Sequence, residues 1–256
     1  MQRIEQEDVG RTATVGNIAE LNAFTSRREF LRLLGIGGAL VMLPSLFAAC
    51  EDGSNTGGLA GPGSGESVTI DFAAGDTALL QFAYVLELLE ADFYSRVVAN
   101  FDGSSFKDAD KVILTDIRNH EIIHREFLKS LLGGSANFTL TPTYGSLNFK
   151  DRATVLATAK AFEDLGVAAY NGAAQYYRDP NNLLASAKIV SVEARHAAAI
   201  RDLITPSSAE FAPSSFDDTF SLDKVAFAAQ GFIEDTLVFA NAPATFVDGP
   251  NKTGSV

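Results

Sequence analysis

Cysteine is nearly missing from this chain. Cys50 is the only one in 256 residues, so no disulfide can close within one molecule and a thiolate metal site is excluded. Histidine is almost as scarce, with three residues: His120, His124 and His196. Basic side chains are outnumbered by acidic ones, 20 against 32, for a net charge of −12. That balance argues against nucleic acid or an anionic lipid surface as a partner, and it is permissive for attracting cations. The first 50 residues hold five arginines and five acidic residues, so the rest of the chain carries the whole deficit. Helix breakers are also few from Asp76 to Leu132, which leaves room for long uninterrupted helices.

What the N-terminus has is an address. Ser26-Arg27-Arg28-Glu29-Phe30-Leu31 resembles the twin-arginine export consensus, and an apolar run from Leu33 to Ala49 follows it. The run is short for a membrane span and contains Pro44. It ends in Phe47-Ala48-Ala49-Cys50, which resembles a bacterial lipoprotein cleavage site with Cys50 as the lipid-bearing residue; cleavage near Ala49 and retention as an anchor stay open. Residues 1–50 therefore read as a signal peptide and 51–66, rich in glycine and serine, as a flexible linker. The expected location is the cell envelope or periplasm, with the membrane touched only through the N-terminal lipid or anchor.

Residues 67–205 carry four helical patterns, and 206–256 form an extension with one shorter helix, about Leu222 to Phe239. The first helix, about Asp76 to Asn100, aligns Leu80, Ala83, Glu87, Ala91, Tyr94 and Val98. The second, about Lys107 to Leu132, aligns Leu114, Ile117, Glu121, His124, Leu128 and Leu131 and stops at Gly133-Gly134. A link of about 17 residues leads to the third, about Lys150 to Tyr177, with Leu156, Ala159, Glu163, Val167, Tyr170 and Ala174. Asp179-Pro180-Asn181-Asn182 reads as a break before the fourth, about Leu183 to Ile204, with Ser186, Ile189, Glu193, His196, Ile200 and Leu203.

The halves repeat. A shift of 72 residues superposes Glu121 and His124 on Glu193 and His196; a shift of 76 superposes Glu87 and Tyr94 on Glu163 and Tyr170. Each half supplies a glutamate with a tyrosine seven residues later, then a Glu-x-x-His, whose spacing puts carboxylate and imidazole on one helix face. A helix of about 26 residues is roughly 39 Å long, and the link could extend to about 56 Å. It can therefore run back along the bundle, leaving the second and third helices parallel. The fold class is all-α: a four-helix bundle with one long crossover connection and a C-terminal accessory helix.

Six ionisable side chains would meet at the centre: Glu87, Glu121, His124, Glu163, Glu193 and His196, with Glu90 as an alternative to Glu87. Each buried unpaired charge costs several kcal/mol. Two divalent ions would neutralise the four carboxylates while the imidazoles complete the coordination. His120 reads as solvated or as an outer partner, because its repeat counterpart is Val192, and Asp92 and Asp164 read as exposed charges.

A glutamate from each of two helices and Glu-x-x-His from each of the others resembles the ferritin-like di-metal pattern. Leu86 to Tyr94, Ala161 to Tyr170 and Val192 to His196 look like the exported bacterial ferritin-like proteins related to desiccation-associated proteins. The resemblance implies that Glu121 and Glu193 bridge two metals, that Glu87 with His124 and Glu163 with His196 cap one each, and that Tyr94 and Tyr170 donate hydrogen bonds around them, with a redox part for the tyrosines left open. An oxygen-rich set with one nitrogen per metal suits iron or manganese. The expected chemistry is oxidative or peroxide-detoxifying, with O₂ or peroxide as a small oxidant, in stress protection. The alternative is a metal-free envelope or desiccation-stress protein using the bundle as scaffold. A closed iron-storage shell fits poorly with a tether and an extension of some fifty residues, and the oligomeric state is not specified.

Overall fold

A computed structural model describes residues 67–250. The twin-arginine segment, Cys50 and the linker lie outside the described residues.

Four long helices form the body: α1 (Asp76–Ala99), α2 (Asp108–Leu132), α3 (Arg152–Ala174) and α4 (Pro180–Ile204). Local chemistry places their ends. Gly75 precedes α1 with φ +62°, and Gly133 closes α2 with φ +52°, conformations that disfavour a side chain. Asp151 and Asp179 cap α3 and α4 by accepting from the backbone N–H of Thr154 and Asn181. Asp179-Pro180-Asn181-Asn182 is therefore a start and no break: Pro180 occupies the first turn, where its missing N–H costs nothing.

Helix direction follows from two crossed hydrogen bonds. The Tyr94 hydroxyl of α1 reaches Glu163 of α3, and the Tyr170 hydroxyl of α3 reaches Glu87 of α1. Since each tyrosine lies seven residues after its own glutamate, α1 and α3 must be antiparallel. The short turn between α1 and α2 makes those two antiparallel as well, so α2 and α3 run parallel and the link from Gly133 to Asp151 is the crossover. Tyr144 pins that link to α1 through Leu89 O and Asp92.

The all-α reading needs one addition. Strand β1 (Ser67–Asp71) pairs in parallel with β2 (Thr236–Ala240). The helix expected at Leu222 to Phe239 is only α5 (Leu222–Gln230). It ends because Gly231 follows and because Gln230 turns its amide on the exit, donating to Asp235 O and accepting from Leu237 N. Beyond it, Thr236-Leu237-Val238-Phe239 has the branched and aromatic content of a strand. Phe239 packs edge-on against Phe72 and Phe82, so the tail covers the outer face of α1. The tail covers α3 too, where Phe220 N donates to Ala168 O and Gly172 leaves no room for a Cβ beside Phe220 O. This second layer explains why α1 and α3 are buried nearly all round, whereas α2 and α4 keep one wet face. In α2 the wet face includes Leu131; Leu132 is the residue that turns inward. Among the described residues no helix is long and apolar enough to cross a membrane.

Candidate metal centre

The apolar stripes of the four helices converge on a polar middle. Glu87, Glu121, Glu163 and Glu193 are fully buried, and His124 and His196 are 9% and 4% exposed. The structure brings all six predicted residues together. They form two groups, Glu87, Glu121, His124 and Glu193, and Glu121, Glu163, Glu193 and His196, each with its donor atoms within 4.8 Å of one another. Glu121 and Glu193 belong to both.

The free atoms define what each residue can do. Both oxygens of Glu121 and of Glu193 lack a hydrogen-bond partner, as do Glu87 Oε2, Glu163 Oε2 and the Nδ1 atoms of His124 and His196. His124 Nδ1 sits 2.9 Å from Glu193 Oε1, and His196 Nδ1 sits 2.8 Å from Glu121 Oε1, yet neither approach has hydrogen-bond geometry. The donors lie close to one another without bonding to one another. Two free oxygens on each central glutamate suit bridging, and one free atom on each of the other four suits terminal ligation. That makes eight donors, four for each of two ions.

The second oxygen of each terminal glutamate is already engaged. Glu87 Oε1 accepts from the Tyr170 hydroxyl at 2.6 Å, and Glu163 Oε1 accepts from Tyr94. Each tyrosine serves the glutamate of the opposite half, which the linear repeat does not show. Both hydroxyls are buried, and burial beside a carboxylate pushes their pKa well up, so they act as donors.

Charge in the cluster is unevenly placed. Burial raises Glu87 and Glu121, and burial brings Glu163 to about 7 despite the offsetting His196 and Tyr94. Burial also acts to lower His124, but Glu121, Glu193 and Glu87 outweigh it and push the imidazole up to about 12. His196 moves up for the same reason. Glu193 goes the other way, to about 2, because the two imidazoles overcome its burial. Without cations the cluster can thus stay near neutral only by holding protons that metal would displace.

Among the neighbours, Asp92 and Asp164 depart from the expectations, while His120 takes one of its two expected places. His120 sits as an outer partner: its Nδ1 is 2.9 Å from His196 Nε2, with the two rings nearly parallel and their centroids 5.2 Å apart. With His196 Nδ1 facing the centre, this contact at the back of the ring sets its orientation. Val192 at the equivalent place kept the solvated reading open, and adjacency to the motif is the signal for the outer partner. Asp164 is largely covered and paired with Arg201, and Asp92 binds Tyr144 and Arg96, so neither is a free surface charge. Glu90 is buried, 3% exposed, and lies outside both groups.

Residues 75–206 match a family model described as a ferritin-like domain. No curated protein matches the chain.

Proposed function

The chain belongs to the ferritin-like domain family, and from that premise we propose that it holds two iron or manganese ions in one carboxylate-bridged centre for oxidative or peroxide-removing chemistry in stress protection. The observation that carries this reading is the set of eight buried donor atoms without partners. A buried polar atom left unpaired costs about 1–3 kcal/mol, more for a charged group, so eight in one place call for an occupant. Glu121 and Glu193 would bridge, Glu87 with His124 would complete one ion, and Glu163 with His196 the other. Such a pair of ions, when bound, supplies two-electron exchange with O₂ or peroxide. The protein's own residues do the rest. Tyr94 and Tyr170 hold the terminal carboxylates in place by donating to the oxygen that faces away from the ions. The apolar walls of α1 and α3 keep bulk water out. His196 keeps its proton on Nε2, where His120 accepts, leaving Nδ1 free to ligate.

Elemental analysis of protein purified from its native compartment should find close to two metals per chain, and Glu121→Ala should remove both. A metal-free protein whose melting point is indifferent to Glu121→Ala would refute the reading and favour the scaffold alternative, a non-enzymatic envelope or desiccation-stress protein.

We also propose that residues 1–50 direct twin-arginine export and that Cys50 carries the lipid, supported by Arg27-Arg28, the apolar run and the small residues before the cysteine. Labelled fatty acid should enter the wild-type protein and not Cys50→Ser; equal labelling would reject lipidation there.

A further inference from the structure

Exposed apolar side chains are unevenly shared among the four helices. Among the described residues none of the large ones lies on α1 or α3, whose outer faces the C-terminal layer covers. On α2, Ile123, Phe127 and Leu131 recur at every fourth residue and are 61%, 43% and 45% exposed. His120 heads the same stripe and touches His196, so the stripe follows the seam between α2 and α4. On α4 the exposed Leu184, Lys188 and Arg195 share one face by the same spacing rule. Leu128 and Ile189, the inward neighbours of Phe127 and Lys188, pack in one buried cluster, which sets the two exposed residues at one level of the bundle. Charge is divided in the same way. The helices α2 and α4 hold seven lysines and arginines against four exposed acids, Asp108, Asp116, Glu126 and Asp202, whereas residues 205–250 hold seven acids and one lysine. The acid excess of the whole chain therefore does not describe this seam. Two helix layers of about 10 Å each separate it from the extension, more than the screening length of about 8 Å in physiological salt, so a surface at the seam meets the seam's own charge.

We infer that the α2–α4 seam docks on an anionic phospholipid bilayer, with Ile123, Phe127, Leu131 and Leu184 entering the headgroup layer and Lys188 and Arg195 meeting lipid phosphates. An amphipathic helix face sinks about 5–10 Å into the headgroup boundary, and each cation near the surface adds to the attraction. A second copy in the same place would bring like charges together, whereas anionic headgroups match them. The chain outside the described residues favours the same occupant. Under the lipid-anchor reading, on which this choice rests, 16 residues separate Cys50 from Ser67 and span up to about 53 Å, enough to pass from β1 round the bundle. His120, exposed and in contact with His196, stands on the same seam, so docking turns that end of the polar centre toward the headgroups.

Footprinting with hydroxyl radicals tests which side is covered. Protein purified from its native compartment is mixed with vesicles of phosphatidylethanolamine and phosphatidylglycerol, or of phosphatidylcholine alone, which would hold a lipid anchor without matching the seam's charge. On the anionic vesicles Phe127, Leu131 and Leu184 should lose reactivity at least about threefold relative to phosphatidylcholine, while Phe211 and Phe246 on the extension stay reactive. Salt at about 0.5 M should restore much of the reactivity. Lys188→Glu should cut the ratio of docked to free protein about tenfold, and Phe127→Ser should lower it as well. Both positions are exposed and outside the proposed ligands, so folding should be little affected. A footprint that is the same on both kinds of vesicle overturns the inference, and so does Lys188→Glu protected as well as wild type. Equal protection of Phe211 and Phe127 overturns it too, as adsorption without a face. Protection already present on phosphatidylcholine and rising with protein concentration assigns the seam to a second copy and overturns it. Selective protection in a protein that takes up no labelled fatty acid upholds the docking face and rejects the anchor alone.

Discussion

Raising the pH of the metal-stripped protein from 4.5 to 7 should destabilise it, and loading it with Mn²⁺ should abolish that slope. Glu163 supplies the magnitude. It is fully buried, and its pKa rises from 4.5 to about 7 on folding, chiefly through burial. A group whose folded pKa lies above its unfolded one contributes stability that is complete below the unfolded value and is lost as pH climbs through the folded value. The shift corresponds to about 3 kcal/mol from this residue alone. Glu87, Glu90 and Glu121 are displaced in the same direction and add to it. Glu193 is displaced downward, so its contribution is lost only as pH falls toward about 2, outside the window. The imidazole of His124, raised to about 12, begins to contribute to the decline only above its ordinary 6.5. For a domain of this size, about 3 kcal/mol corresponds to a fall of roughly 6–12 °C in Tm. Bound cations hold the carboxylates ionised at every pH in the window, so the gap between loaded and stripped protein should widen as pH rises. Calorimetry of chelator-treated and Mn²⁺-loaded protein at pH 4.5, 5.5, 6.5 and 7.5 measures both slopes, and Glu163→Gln should flatten the stripped one by its share. A stripped protein whose Tm is constant or climbs across this range refutes the charge reading of the cluster.

Three further outcomes follow from geometry. His120→Ala should weaken the ion next to His196 by about 10- to 100-fold while sparing the other, with His120→Gln restoring part of the loss; a two-step metal titration reads both. Gly172→Ala would place a Cβ 1.8 Å from Phe220 O, a backbone clash no rotamer relieves, and should cost about 3 kcal/mol or more; limited proteolysis should then cut first between α4 and α5. Arg152→Ala should cost about 2–4 kcal/mol, because Asp110, 2% exposed, loses both guanidinium contacts, at 2.6 and 2.9 Å, and Arg152 no longer ties α3 to Leu203 O at the end of α4; denaturant melts test it.

The bundle and its six central residues were legible because each rests on a local rule. Glu-x-x-His is a one-face spacing, and the 72- and 76-residue shifts compare like with like. What escaped depends on contacts between segments far apart in the chain. The pairing of Tyr94 with Glu163 and of Tyr170 with Glu87 needs the antiparallel setting of α1 and α3, which no stripe encodes. The sequence alone does not choose between a solvated and an outer-partner His120, because its repeat position holds Val192. Thr236 to Phe239 read as helix because their apolar residues continue the spacing of α5, and only the side-chain turn at Gln230 and the pairing with β1 decide for a strand. Asn181 and Asn182 look like loop residues, yet behind Asp179 and Pro180 they sit in a first turn, where their low helix propensity matters least.

The parallel pairing of β1 with β2 sets an order of events in folding. Every proposed metal ligand lies between Glu87 and His196, within helices joined by connections that form quickly, whereas Ser67–Asp71 must wait for Thr236–Ala240 before it has a partner. Closing so long a loop is slow compared with forming helix pairs. The four helices can therefore pack while the outer faces of α1 and α3 are still wet, and the layer of α5 and β2 shuts afterwards. Assembly of the polar centre and final sealing become separate steps in time, and the last of them belongs to a strand that adds nothing to that centre.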